Sequence, residues 1–247
     1  MDRLIYTAMT GAKHILEQQA TTAHNLANAT TTGFKAQVDS FRAVPVLGDG
    51  LPTRAFVVDA TVGTDYKAGS IQQTGRDLDV AVEGPGWIAV QRADGSEGYT
   101  RNGSLKINEN GQLQTESGMN VMGDGGPISI PPNVIISIGG DGTISAVNDL
   151  TAPGATNILG RIKLTNPPEA SLKRAEDGLF VTSNGQAAPM DVNVKVTNGA
   201  LESSNVNVVE TMVNMISLAR QFEMQMKMLE NAQNNAGKAD QLFSMNG

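Results

Sequence analysis

The chain contains no cysteine. That excludes disulfides, thiolate metal sites and cysteine nucleophiles. It is also poor in aromatics: Trp, Tyr and Phe make up 4 % of its 247 residues, whereas a deep cofactor pocket ordinarily recruits more aromatic surface. Its two histidines, His14 and His24, would lie roughly 15 Å apart along one helix axis, too far to share a metal. No run approaches the ~20 apolar residues of a membrane-spanning helix; the stretch Val134 to Ile138 is already interrupted by Ser137. The N-terminal MDRLIYTAMTGAKHIL has no unbroken apolar core followed by a small-residue cleavage site, so neither a cleavable signal nor membrane insertion is expected. Positive charge is short as well, 18 Lys and Arg against 25 Asp and Glu for a net charge of −7, which argues against a nucleic-acid partner.

Chemical motifs are equally sparse. Gly84-Pro85-Gly86 precedes an apolar strand rather than a helix, and Gly123-Asp124-Gly125-Gly126 has no lysine at phosphate-loop spacing. No cofactor, metal or small-molecule substrate is expected. Asp77 and Asp79 alternate with Leu78, which puts both carboxylates on one strand face. A glycosidase pair can be drawn there, but the expectation is a polar outer face of an antiparallel strand.

Helical periodicity is what the two chain ends do carry. Over residues 4–28, Ile5, Met9, Ala12, Leu16, Gln19, Ala23 and Leu26 are spaced alternately four and three apart, the spacing that holds one face against a partner helix. Over residues 207–243 the same alternation runs through Val208, Met212, Met215, Ala219, Phe222, Met226, Leu229, Gln233, Ala236, Asp240 and Phe243. Asn207 followed by Glu210 has the spacing of a capping box. At 1.5 Å per residue the two helices would be roughly 37 and 55 Å long. The shorter cannot cover the longer. Val213, Ile216 and Leu218 add apolar surface off the main stripe, and such surplus asks for neighbouring subunits.

Between the helices the period drops to two. Leu78, Val80 and Val82 alternate, as do Val134, Ile136 and Ile138, and Val192, Val194 and Val196. Turn dipeptides recur: Asp94-Gly95, Asn110-Gly111, Asp141-Gly142, Asp177-Gly178 and Asn184-Gly185. The expected fold is α+β: long N- and C-terminal helices paired as a coiled coil, with an antiparallel β-rich domain inserted between them. The boundaries are residues 1–44 for the first helix and its turn, 45–59 for a linker, 60–200 for the β-rich domain and 201–247 for the closing helix.

Four stretches add a resemblance. Asn25-Leu26-Ala27-Asn28-Ala29-Thr30-Thr31-Thr32-Gly33-Phe34-Lys35 resembles the N-terminal signature of the flagellar basal-body rod and hook proteins, with Thr32 where many relatives have proline. Leu201-Glu202-Ser203-Ser204-Asn205-Val206-Asn207-Val208-Val209-Glu210, with Arg220, Phe222 and Glu223 beyond it, resembles their C-terminal signature. Thr74 to Gly84 and Tyr99-Thr100-Arg101-Asn102-Gly103 resemble their β domain. The resemblance implies a structural subunit, not an enzyme, of the proximal rod, with the distal rod as the alternative. Its partners would be copies of itself, other proximal- and distal-rod proteins and the flagellar type III export apparatus. Its place would be the basal-body rod within the periplasm, reached without a cleaved signal. Outside the family, the alternative is a secreted cell-wall enzyme using β-domain carboxylates. The resemblance assigns Asn25, Leu26, Ala27, Asn28, Thr31, Gly33, Phe34, Ser204, Asn205, Val206, Arg220 and Glu223 to signature positions. Subunit contacts are expected at Ile5, Met9, Ala12, Leu16, Ala23, Leu26, Val208, Met212, Met215, Ala219, Phe222, Met226, Leu229 and Phe243.

Overall fold

The computed structural model describes residues 2–45, 55–132, 134–147 and 156–244. The chain divides into two compact units. The first gathers Met1–Ala29, Ala36–Asp65 and Val206–Gly247, the second Thr30–Lys35 and Tyr66–Asn205.

The first unit contains helix α1 (Asp2–Ala27), strands β1 (Gln37–Pro45) and β2 (Ala55–Thr64), and helix α2 (Val208–Ser244). The start of α2 is capped as its sequence suggests: Asn207 Oδ1 accepts from the backbone N–H of Val209 at 3.1 Å and of Glu210 at 3.2 Å, two donors that a helix start leaves without intrahelical partners. Strands β1 and β2 pair antiparallel, from Gln37 opposite Thr64 to Pro45 opposite Ala55. Much of the stretch expected as a linker, residues 46–54, lies outside the described residues, and its flanks belong to these two strands.

The paired coiled coil is not what the helices form. Residues of the expected stripes stand open on both: Met9, Leu16 and Ala23 on α1, Val208, Met212 and Met226 on α2. The best-covered residues of α1 are Ala8, Ala12 and Ile15. On α2 the half-buried stripe runs through Thr211, Met215, Leu218, Phe222, Gln225 and Leu229, and no described side chain of that helix is fully buried. The physical reason is that α1 packs against β1 and β2 as well as against α2. Its apolar face serves more than one neighbour: Ala12, Met215, Phe222 and Leu229 of the expected stripes are covered, while at the positions between them cover falls one residue earlier, on Ala8 rather than Met9 and on Thr211 rather than Met212. The fold is α+β with two terminal helices and a β-rich body.

The second unit is the β-rich one. In chain order its strands are β3 (Ile71–Gln73), β4 (Val80–Glu83), β5 (Trp87–Gln91), β6 (Glu97–Thr100), β7 (Leu105–Ile107), β8 (Leu113–Thr115), β9 (Asn120–Gly123), β10 (Gly126–Pro127), β11 (Ile135–Ile138), β12 (Thr143–Val147), β13 (Thr156–Arg161), β14 (Leu164–Thr165), β15 (Leu172–Arg174), β16 (Phe180–Thr182), β17 (Lys195–Asn198) and β18 (Ala200–Glu202). The main sheet has the order β15-β16-β6-β5-β9-β8-β7, with β10 added to β9 and β14 to β5. A second sheet is β11-β12-β13, and the pairs β17-β4 and β18-β3 complete the unit. All of these pairings are antiparallel. The five Xaa-Gly dipeptides named above all turn the chain with glycine at φ between 69° and 84°, a region open to glycine at no steric cost.

Strand β5 shows where the core lies. Ile88 and Val90 join one apolar cluster with Val80, Leu105, Leu113 and Ile144. Trp87 and Ala89, on the other face, join a second with Tyr99, Leu172 and Phe180. Alternate residues of a strand point to opposite faces, so β5 is buried on both. Tyr99 donates its phenol to Glu97 Oε2 at 3.1 Å and accepts from the Ala188 N–H at 2.6 Å. Burial pushes its pKa up to about 12, so it stays a neutral donor.

Candidate functional site

In the second unit three charged side chains meet in the interior. Lys35 is 0 % exposed, Glu202 1 % and Arg101 4 %. Lys35 Nζ lies 2.6 Å from Glu202 Oε1, and an Arg101 terminal nitrogen lies 2.9 Å from Glu202 Oε2. Backbone groups supply further hydrogen bonds. Lys35 donates to Lys67 O at 2.8 Å; Arg101 donates to Val82 O at 3.2 Å and Gly84 O at 2.6 Å; the Gly69 N–H donates to Glu202 Oε1 at 2.9 Å. Arg101 also sits 5.4 Å from the Trp87 ring centre, a favourable place for a desolvated cation. Its pKa is lowered by burial, which the Glu202 carboxylate opposes. Among the described residues the Arg101 Nε has no hydrogen-bond partner; the other hydrogen bonds hold the ion pair together, because desolvation otherwise exceeds the Coulomb gain.

Backbone geometry closes the same place. Gly33 has φ +67° and donates its N–H to Glu202 O at 2.7 Å. A Cβ there would stand 2.3 Å from the Arg101 carbonyl carbon, so no side chain fits. Thr32 donates its hydroxyl to Asn102 Oδ1 at 2.9 Å. Phe34 is buried under the Arg174 guanidinium, 4.7 Å from the ring centre, and Arg174 donates to Lys35 O at 2.9 Å. The Asn205 N–H donates to Phe34 O at 3.3 Å, and its side chain donates to Lys67 O at 3.1 Å. The N-terminal, middle and C-terminal signatures thus converge on one cluster. Lys35, Arg101 and Glu202 were not singled out from the sequence. The available signal was that Lys35 and Arg101 are the single charged residues of segments 25–35 and 99–103; Glu202 shares its segment with Glu210 and had no such mark.

Asn25 works in the first unit. Its Nδ2 donates to Gln37 O and its Oδ1 accepts from Gln37 N–H, both at 2.8 Å. The amide therefore ties the end of α1 to the first residue of β1 as a peptide group would. Asn28 Nδ2 donates to His24 O at 2.9 Å, filling a carbonyl at the helix end. Asn25→Ala is expected to lower the melting midpoint of the first unit, at a cost of about 2 kcal/mol, because two backbone groups lose their partner. Differential scanning calorimetry reads this directly, and an unchanged midpoint would refute the tie.

The expected contact residues fall into two groups. Ala12 is buried, while Ile5, Leu26, Met215, Ala219, Phe222 and Leu229 are half-buried. Met9, Leu16, Ala23, Val208, Met212 and Met226 are exposed, as are the signature residues Ala27, Thr31, Arg220 and Glu223. Ser204 and Val206 are half-buried. Phe243 lies in α2, but its side chain is outside what is described. The exposed side of α2 carries Val209, Met212, Val213 and Ile216, exposed by 71, 49, 60 and 56 %. These positions share one helix face.

The paired carboxylates are not a free acid–base couple. Asp79 is buried; it accepts from Arg76 Nε at 2.9 Å and from Thr74 Oγ1 at 2.7 Å. The polar outer face expected for both residues holds for Asp77 alone. His14 lies 3.0 Å from Glu17 Oε2, with its ring edge-on to Phe41.

Comparison with known proteins matches these segments. Residues 5–35 match the family model described as Flagella basal body rod protein. Residues 81–146 match Flagellar hook protein FlgE/F/G D1 domain, and residues 197–242 match Flagellar basal body rod FlgEFG protein C-terminal. Each matched segment contributes one member of the buried triad. The flagellar basal-body rod protein FlgF of Escherichia coli (strain K12) is 48 % identical, covering 99 % of this chain and 100 % of that protein. FlgF of Salmonella typhimurium (strain LT2) is 47 % identical with the same coverage. FlgG of Buchnera aphidicola subsp. Schizaphis graminum is 31 % identical over 89 % of this chain and 92 % of that protein. With relatives of this identity aligned along nearly its whole length, the chain belongs to the flagellar basal-body rod protein family.

Proposed function

We propose that the chain is a structural subunit of the flagellar basal-body rod, of the proximal-rod kind, and that it joins its neighbours through the apolar face α2 leaves open. The observation that carries this reading is the two-sided character of the helix. Phe222, on the half-covered stripe, and Val213, on the open face, are nine residues apart, about half a circle around the helix at 3.6 residues per turn. A helix apolar on opposite sides is covered on both in its working state. The occupant we assign is the terminal helix of an adjoining rod subunit, either a second copy or a family relative. The exposed Met9, Leu16, Val208 and Met226 extend the surface available to such neighbours.

The proximal assignment is supported by the FlgF relatives, 48 and 47 % identical, against 31 % for FlgG. Assembly with proximal- and distal-rod proteins, delivery by the flagellar type III export apparatus without a cleaved signal, and a position within the periplasm follow from that assignment. The role is mechanical: apolar packing between long helices resists deformation because packed interiors have low compressibility.

Ile216→Asp tests the reading. Ile216 is 56 % exposed in the single chain, so the variant should keep its helical circular dichroism and thermal midpoint. In the rod the carboxylate would be buried without a partner. Swimming and recovery of rods in purified basal bodies should fall at least about tenfold, the equivalent of 1.4 kcal/mol. Normal rods built from this variant would refute the docking face.

A further inference from the structure

We propose that the unassembled chain carries an oxidation-sensitive patch, and that methionine sulfoxide on it excludes the chain from the rod. The inference rests on the assembly reading above. With no cysteine present, methionine sulfur is the only thioether or thiol the molecule has. Its distribution is uneven. Met9, Met212, Met224, Met226 and Met228 are each about half exposed, and all five lie on the two helices of the first unit. Met119, Met122 and Met190, in the β-rich unit, are partly buried. The sulfurs open to solvent are thus concentrated on the elements proposed to mate with other subunits.

The reaction needs a two-electron oxygen donor, a hydroperoxide such as hydrogen peroxide. The sulfur lone pair attacks one peroxide oxygen and the O–O bond breaks. An S–O bond forms, and the second oxygen leaves as water after proton transfer. Sulfur is oxidised by two electrons and the peroxide is reduced. The product is polar and chiral where the thioether was apolar and adaptable. At Met212, beside Val209, Val213 and Ile216, it places a strong acceptor in a face that must be dry when docked. Covering the helices in the rod shields the same sulfurs, so the sensitivity belongs to the subunit before assembly.

The test uses the full-length chain. Purified protein treated with hydrogen peroxide is digested and mapped by mass spectrometry. Sulfoxide should build up at Met212, Met224, Met226 and Met228 at least about fivefold faster than at Met119, Met122 and Met190. Cells pulsed with peroxide are then separated into unassembled chain and purified basal bodies. Sulfoxide at Met212 should be depleted at least about fivefold in the basal bodies. A variant with Met9, Met212, Met224, Met226 and Met228 all replaced by leucine should lose a smaller share of its own untreated motility after the pulse than the natural chain loses of its own. Equal oxidation rates at the two groups, or equal sulfoxide content in both pools, overturns the inference. If Ile216→Asp blocks assembly while sulfoxide-bearing chain is still incorporated, this inference alone fails. If Ile216→Asp assembles normally, the docking face itself fails.

Discussion

Glu202→Gln is expected to cost the β-rich unit about 3–5 kcal/mol, the usual consequence of removing one partner from a buried ion pair. A domain's whole stability is about 5–15 kcal/mol, so much of the folded population would be lost at physiological temperature. The amide keeps the shape and one acceptor but removes the carboxylate that faces both Lys35 Nζ, at 2.6 Å, and Arg101, at 2.9 Å. Both cations would stay at 0 and 4 % exposure, beside the carbonyls of Lys67, Val82 and Gly84 but without that charge. For Arg101, burial already pulls the pKa down and Glu202 is the group that opposes it; without the carboxylate only the desolvation remains. Urea denaturation followed by Trp87 fluorescence measures the loss, since Trp87 sits beneath Arg101. Glu202→Asp, which keeps the charge and shortens the reach, should fall between the two. A loss under about 1 kcal/mol for the glutamine variant would mean that the triad contributes no more than an exposed pair does.

Gly33→Ala should destabilise the same unit by about 3 kcal/mol or more, from two separable causes. An L-residue at φ +67° pays about 1–2 kcal/mol for the left-handed region. The added methyl also meets backbone: 2.3 Å to Arg101 C, 2.4 Å to Asn102 N and 2.6 Å to Arg101 O. A side chain can swing away from such a contact, whereas two backbone segments part only by moving. Moving them pulls Gly33 N–H from Glu202 O and takes Lys35 and Arg101 out of register with their shared carboxylate. Gly75→Ala is the control. Gly75 has φ +73° and nothing within 4 Å of its would-be Cβ, so it carries the conformational cost without the clash. Thermal midpoints of the two variants should differ clearly, with Gly33→Ala the lower. Equal midpoints would show that the close approach at Gly33 has no energetic weight.

The two predictions concern residues that the sequence presents in different ways. Gly33 sits in a recognisable signature, and a glycine there asks for a positive φ or a close backbone approach; the structure has both. Glu202 sits in a signature too, but nothing local distinguishes it from a solvated carboxylate. Its importance depends on Lys35, 167 residues away, and Arg101, 101 residues away. Asp79 differs in that its partners Arg76 and Thr74 are three and five residues away, yet its alternation with Leu78 suggested an outward face and the structure buries it.

The helices divide along similar lines. Their existence and approximate ends were legible, because the 3.6 period, the Asn207 cap and the absence of proline after Pro189 all act within a few residues. The stripe that would be covered was not legible. Four-and-three spacing identifies several candidate stripes one residue apart, and the choice between Met9 and Ala8, or between Met212 and Thr211, is made by what packs alongside. For α1 that includes β1 and β2.

By itself the sequence determined the α+β class, the period-two body with its Xaa-Gly turns, the two terminal helices and the rod-family signatures, all of which rest on interactions between near neighbours in the chain. Only the tertiary structure decided that the helices do not form a paired coil, that Lys35, Arg101 and Glu202 share one buried site, and that Val209, Met212, Val213 and Ile216 stand open. Burial and charge pairing are properties of surroundings, and those surroundings are assembled from residues far apart along the chain.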